Sequence, residues 1–430
     1  MSRFRRMVTG AAGAVLAASV LTACGGSGSG KTELVWYTNP DSAPPAGFKG
    51  AFGQAGIAAR CSTDDYTITT QQLPGDASQQ RIQLARRLAA GDKGIDLMSL
   101  DPVFVAEFSN AGFLADIPED QAADLTADTL AGAKDAASWD GKLVTAPLWA
   151  NTQLLWYRKS LAEKAGLDMT QPVTWDQIID AAADNDATVG VQANKYEGYS
   201  VWINALIQGA GGDIVSDVEK GVDAKIDVNS AAGKAAAGVI EKLAKSPAKM
   251  PDLSVSNEGT VLGPFASPKG GFIVNWTFIF SQYKADKTVS KDLGFTRYPR
   301  TTADQPSRPP LGGIDIGVND ATSHKTEALD ALTCITSAEN QAQYAAETGN
   351  MPSSSAAYDD PVLTKAYPAD LLEAFQSSIE DAGPRPITPY WSDISSSLQS
   401  TWHPASAVSP STPGRSARFI KDVLDGSKLL

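Results

Sequence analysis

The sequence predicts an α/β chain in two lobes, and three observations carry that prediction. Short runs rich in β-branched and aromatic residues alternate with amphipathic helical stretches, which is the pattern of sheets covered by helices. The chain has 430 residues, more than one compact core usually organises. Two cysteines far apart in sequence, Cys61 and Cys334, can pair in only one way with each other, and a bridge would put both in one lobe. Two separate buried thiols are the alternative.

Residues 1–23 read as a leader rather than as part of the fold. "MSRFRRMVTG" is cationic through Arg3, Arg5 and Arg6, and "AAGAVLAASVL" is apolar but too short to span a bilayer. "LTAC" follows, and a Cys directly after Leu-Thr-Ala resembles the lipobox of bacterial lipoproteins. That resemblance implies cleavage before Cys24 and a lipid on its thiol, with "GGSGSG" completing a flexible linker over 24–30. The expected location is the extracytoplasmic face of the cell membrane.

The body then alternates. "TELVWYTN" reads as a strand. "ASQQRIQLARRLAAGDKG" reads as a helix with Ile82, Ala85, Leu88 and Ala89 on one side and Gly91 near its end. "IDLMSL" is a short buried strand, and Thr174 and Gln177 have capping-box spacing ahead of Ile178, Ile179, Ala182 and Ala183. "GGFIVNW" and "LGGIDIGV" read as strands, and "KTEALDALTCITSAENQAQYAAETG" as one long helical stretch. The alternation argues for parallel sheets.

"PLWANTQLLWYRKSL", 147–161, breaks the apolar pattern. Asn151, Thr152 and Gln153 sit among residues suited to a core, and a buried amide without partners costs about 1–3 kcal/mol. Either the backbone satisfies them or a ligand does. Trp149 fits a cleft wall or a hinge.

Composition excludes several function classes. A formal charge of −13 disfavours nucleic acid, which wants clustered Lys and Arg. The two histidines, His324 and His403, lie in no triad-like context, and no His/Cys spacing suits a metal. There is no P-loop or dinucleotide fingerprint. No catalytic residue, metal or cofactor is therefore expected. A glycosidase, which needs only two carboxylates, stays open among 49 acids.

Polar and aromatic residues instead gather at or near the ends of expected strands, where open α/β sheets bind ligands. Asp96 opens "DLMSLD", Asn151 follows "VTAPLW", Glu258 sits in "SNEGT", Trp276 ends "GGFIVNW" and Arg385 lies in "GPRPITPYW". A flat aromatic face with carboxylate, amide and guanidinium groups suits a sugar.

From Cys24 onward the chain resembles the extracellular sugar-binding proteins of ABC importers. "WDGKLVTAPLWANTQLLWYRKSLAEKAGL" and "GGIDIGVNDATSHKTEALDALTCITSAENQAQYAAETGNMPS" carry the resemblance. It implies the type II, maltose-binding-protein-like fold: two lobes, a hinge and an inter-lobe cleft. Lobe 1 would comprise 31–148 and 310–358, and lobe 2 would comprise 149–309 and 359–430. "PLWANTQ" would then be the passage between lobes, with Asn151 answered by ligand hydroxyls, and by water when the cleft is open, and Leu154 to Tyr157 opening the second core. "QRIQLARRLAAGDKGIDLMSLD", "NTQLLWYR", "VNWTFIF" and "RPITPYW" are most similar to the trehalose-binding lipoproteins of actinobacterial importers. The resemblance implies a disaccharide ligand, trehalose first, held by Asp96, Asn151, Glu258, Trp276 and Arg385. Asn39 and Asp41 after the first strand, with Gly312 and Gly313, are further candidates. It also implies permease transmembrane subunits as partners, a membrane tether at Cys24 and a monomer. Maltose, a maltodextrin or a glycerol-phosphodiester remain alternative cargoes.

Overall fold

Thr32–Thr38 forms the first strand, with Leu34 and Trp36 fully buried as its alternation requires. In the computed structural model the described residues are 30–430 apart from 42, 45 and 46. The leader, Cys24 and the linker up to residue 29 lie outside them. Thr32–Leu430 folds as one unit. No helix among the described residues is long and apolar enough to cross a membrane.

Two sheets organise this unit. The first has the order Tyr66–Gln72, Thr32–Thr38, Leu97–Leu100, Gly312–Val318, Ala146–Asn151. The second has the order Leu293–Thr296, Gln153–Arg158, Gly270–Trp276, Thr188–Gly190. Neither is wholly parallel, which corrects the expectation. Thr32–Thr38 runs parallel to both of its neighbours, but Gly312–Val318 is antiparallel to Leu97–Leu100 and to Ala146–Asn151. The reason is the path of the chain. Ala146–Asn151 leaves the first sheet at its cleft end and Gln153–Arg158 starts the second sheet. Gly312–Val318 returns at the same end, so it must run away from the cleft. The first sheet thus keeps its outgoing strand to Asn151, three residues beyond the expected division after Leu148.

The helices follow local chemistry. Asp76 caps Ala77–Ala89 by accepting from Gln79 N at 2.9 Å. Its buried edge is Gln80, Leu84 and Leu88; of the expected side Leu88 is buried, Ile82 and Ala85 are half-buried and Ala89 is exposed. Gln80 tolerates burial because its Nε2 donates to the Pro74 carbonyl at 2.7 Å. The Thr174–Gln177 capping box is present in both directions. The long stretch after His324 is two helices, Lys325–Ile335 and Ala338–Thr348, because Ser337 caps the second by accepting from Asn340 N. Cys61 ends the helix Gly53–Cys61 and is bonded to Cys334 at 2.05 Å. Both lie in the core cluster under the first sheet, with Trp36, Ile57 and Leu332.

Candidate functional site

The strand ends converge on a cavity of about 400 Å³ between the two sheets, a size that suits a small-molecule site. Asn39 and Asp41 follow the first strand, Asp101 follows Leu97–Leu100, and Trp149 and Asn151 end Ala146–Asn151. Gly312 and Gly313 open the returning strand. From the second sheet's side come Tyr196, Glu197, Glu258, Trp276 and Arg385. The fold therefore brings eight of the nine expected ligand residues to one cavity.

Asp96 is the exception and is corrected. It stands at the amino end of Leu97–Leu100, and the cavity lies at the carboxyl end. About 16 Å of strand separates that end from Asp101. Asp96 is buried and committed to structure: Oδ2 accepts from Val35 N at 2.8 Å, and Oδ1 faces the Thr322 hydroxyl and His324 Nδ1. The acid that reaches the cavity is the last residue of the same "DLMSLD" segment, Asp101. The rule of carboxyl strand ends pointed to it.

Asn151 answers the question raised by "ANTQ". Its Oδ1 accepts from Thr152 N at 3.0 Å and from the Thr277 hydroxyl at 2.7 Å, and its Nδ2 donates to Asn350 Oδ1 at 3.2 Å. Thr152 donates to the Pro310 carbonyl at 3.0 Å, and Gln153 Nε2 donates to Gln192 Oε1 at 3.0 Å. The protein itself satisfies these groups, contrary to the expectation that ligand hydroxyls do so. They form a polar knot where the chain crosses between sheets. Gln153 Oε1 alone is buried there without a partner. Leu154, Leu155 and Trp156 are fully buried and do open the second core.

Trp149 is both wall and packing residue. It lines the cavity and stacks on Tyr344, with ring centroids 4.9 Å apart and planes at 22°. Tyr344 in turn donates to Asp41 Oδ1 at 2.5 Å and accepts from Asn350 Nδ2 at 3.3 Å. Gln54 adds a second clamp on Asp41, donating from its backbone N to Oδ2 at 2.7 Å. Burial pushes the Asp41 carboxyl up despite these donors.

On the opposite side, Trp276 ends its strand with its indole over Gly312: a Cβ there would sit 2.9 Å from two ring carbons. Gly313 is held at φ +151°, and a Cβ on it would come within 2.3 Å of the Trp149 carbonyl oxygen. A side chain at either position would disturb the two indole walls. Glu258 accepts from the Tyr196 hydroxyl at 2.8 Å, and burial raises its carboxyl pKa while Tyr196 and Trp276 pull it down. Tyr196 reaches Glu258 by folding over Gly198, where a Cβ would meet its hydroxyl at 2.2 Å.

Arg385 is buried and bridges the sides. Its terminal nitrogens donate to Asp101 Oδ1 at 2.6 Å and Oδ2 at 3.2 Å, and to Glu197 Oε1 at 2.9 Å. Burial works against its charge, and Asp101 and Glu197 more than offset that, so its pKa is raised. Glu197 also accepts from Trp391 Nε1 at 2.8 Å and from the Ser395 hydroxyl at 2.5 Å. Burial pushes its carboxyl up, and Arg385 and the Ser395 hydroxyl oppose that rise without cancelling it. Tyr196 and Glu197 escaped the sequence reading because "NKYEGY" carries no strand-end signal. Asn350 lines the cavity itself and was also missed, whereas Tyr344 acts on the site through its contacts with Trp149 and Asp41.

The fold and the cavity define a two-lobed binding protein of the type II, maltose-binding-protein-like architecture. A model of the bacterial extracellular solute-binding protein family matches residues 39–342, and the chain belongs to that family. It is 24% identical over 340 residues to a probable ABC transporter-binding protein of Deinococcus radiodurans, covering 75% of this chain and 77% of the relative. It is 26% identical over 270 residues to the diacetylchitobiose binding protein DasA of Streptomyces coelicolor, covering 61% of each. Among solved structures it is similar to maltose-bound MalE3 of T. maritima, with a TM-score of 0.78 and 22% identity over 92% of this chain and 100% of that one.

Proposed function

We propose that this protein is the substrate-binding component of an ABC sugar importer. It captures a disaccharide, trehalose first, between its lobes and delivers it to the permease subunits without chemistry. One observation carries the reading. The Trp276 indole, laid over Gly312, offers a flat face at a cavity also lined by Glu258, Asn151, Asn39 and Asp41. A sugar presents C–H faces to such a ring and hydroxyls to such groups. Because the lining comes from both sheets, a ligand that touches both favours the closed arrangement. The first lobe, in this reading, is 31–148 with 310–358 and the second is 149–309 with 359–430, the crossing strand continuing to Asn151. The lipobox-like "LTAC" supports a lipid anchor at Cys24 on the extracytoplasmic face, and the protein acts there as a monomer.

Trehalose rests on the four passages named above. The maltose-bound T. maritima relative keeps a maltose-type α-glucoside as the second reading. A glycerol-phosphodiester is disfavoured by the acidic lining. Titration of Thr32–Leu430 with trehalose and then maltose, by calorimetry and tryptophan fluorescence, tests this. Micromolar trehalose binding without hydrolysis is the expected result. Stronger binding of maltose would remove the trehalose assignment, and silence with both would remove the disaccharide.

A further inference from the structure

The guanidinium of Arg385 is unusual for a ligand-facing arginine in having most of its hydrogen-bonding capacity already used. Arg385 is 5% exposed, lines the cavity and is the one cation among the described residues that do so. A guanidinium has five N–H donors and recognises carboxylate or phosphate through paired donors at full charge. Here the end-on fork is taken by both Asp101 oxygens, and a further terminal N–H goes to Glu197. Three of the five N–H donors, the end-on pair among them, are thus committed to protein carboxyl groups. Four carboxyl groups, Asp101, Glu197, Glu258 and Asp41, share the cavity walls with this one cation.

We propose that Arg385 is held back from anion recognition: Asp101 and Glu197 occupy its end-on donors and close the site to phosphorylated and carboxylated sugars. The inference builds on the sugar-binding reading and narrows its substrate class to uncharged sugars. A phosphate brought to the guanidinium meets the carboxyl groups already holding it, and like charges so placed repel. Freed of one partner, the same arginine becomes an ordinary anion site. Exclusion of anions thus depends on two protein carboxylates, not on the absence of a cation.

The test uses Thr32–Leu430, which folds as one unit, with inorganic phosphate, trehalose, trehalose 6-phosphate and sn-glycerol 3-phosphate as probes. Wild type is expected to show no thermal stabilisation by phosphate, and to prefer trehalose over its phosphate at least about 100-fold. Asp101→Asn, and separately Glu197→Gln in case the first fails to fold, should gain stabilisation by phosphate and narrow that preference at least about tenfold. Wild type stabilised by phosphate, or binding the phosphorylated sugar as well as the neutral one, overturns the proposal. So does a variant that folds and yet keeps the wild-type response to phosphate. If no sugar binds at all, the sugar reading fails, and the phosphate comparison still decides this inference.

Discussion

The indole of Trp276 and the backbone of Gly312 are in contact across the cavity, so that any β-carbon at 312 would press within 2.9 Å of the ring. The first residue of the returning strand is therefore also the bed of the ring that ends Gly270–Trp276. Gly312→Ala should lift or rotate the indole while leaving both sheets intact. We expect a shifted tryptophan emission and a loss of about tenfold in sugar affinity, or about 1.4 kcal/mol. Unchanged emission and affinity in the variant would mean that the ring is not the stacking face.

Tyr196 donates to Glu258, and that bond opposes the rise in the Glu258 pKa caused by burial. Binding that needs the carboxylate is lost as pH falls through its folded pKa, which lies above the ordinary carboxylate range. Tyr196→Phe removes the donor, so the acid limit of binding should move to higher pH. Affinity at neutral pH should fall by about tenfold. Affinity measured against pH decides this; an unmoved acid limit would exclude the coupling.

Asp315 lies within the returning strand, fully buried, with only Thr145 donating to it at 3.3 Å. Burial pushes its carboxyl well above the usual range, with Asp101 adding to the rise. A raised folded pKa means stability that is present below the unfolded pKa and lost as pH climbs toward the folded one. Asp315→Asn should therefore leave acid stability unchanged and add about 1–3 kcal/mol at the alkaline end. Melting curves from acid to alkaline pH check this, and a gain independent of pH would refute it.

Cys61 and Cys334 tie the first helix to the helix after the returning strand, across 273 residues. Their bridge closes a loop that holds every strand of the second sheet, and so constrains that stretch in the unfolded state. The double variant Cys61→Ala/Cys334→Ala should lose about 2–4 kcal/mol, and reductant should lower the wild-type melting temperature alone. A wild type indifferent to reductant would show that the bridge adds no stability.

Much of this protein was legible from local chemistry. The strands Thr32–Thr38 and Gly270–Trp276, the Thr174–Gln177 cap and the two-lobed class follow from periodicity, capping residues and length. The same signals placed Asn151, Glu258 and Trp276 near strand ends, and the fold brings all three to the cavity. The rule of carboxyl strand ends favours the last residue of "DLMSLD", and it is Asp101, not the Asp96 expected from that segment, that lines the cavity. Local pattern could not reveal that Asn151 is answered by Thr277 and Asn350, or that Arg385 meets an acid 284 residues away. Periodicity is set by neighbours three or four residues apart. Strand direction, and the partner of a buried charge, are set by where a chain that has left the first sheet comes back to it.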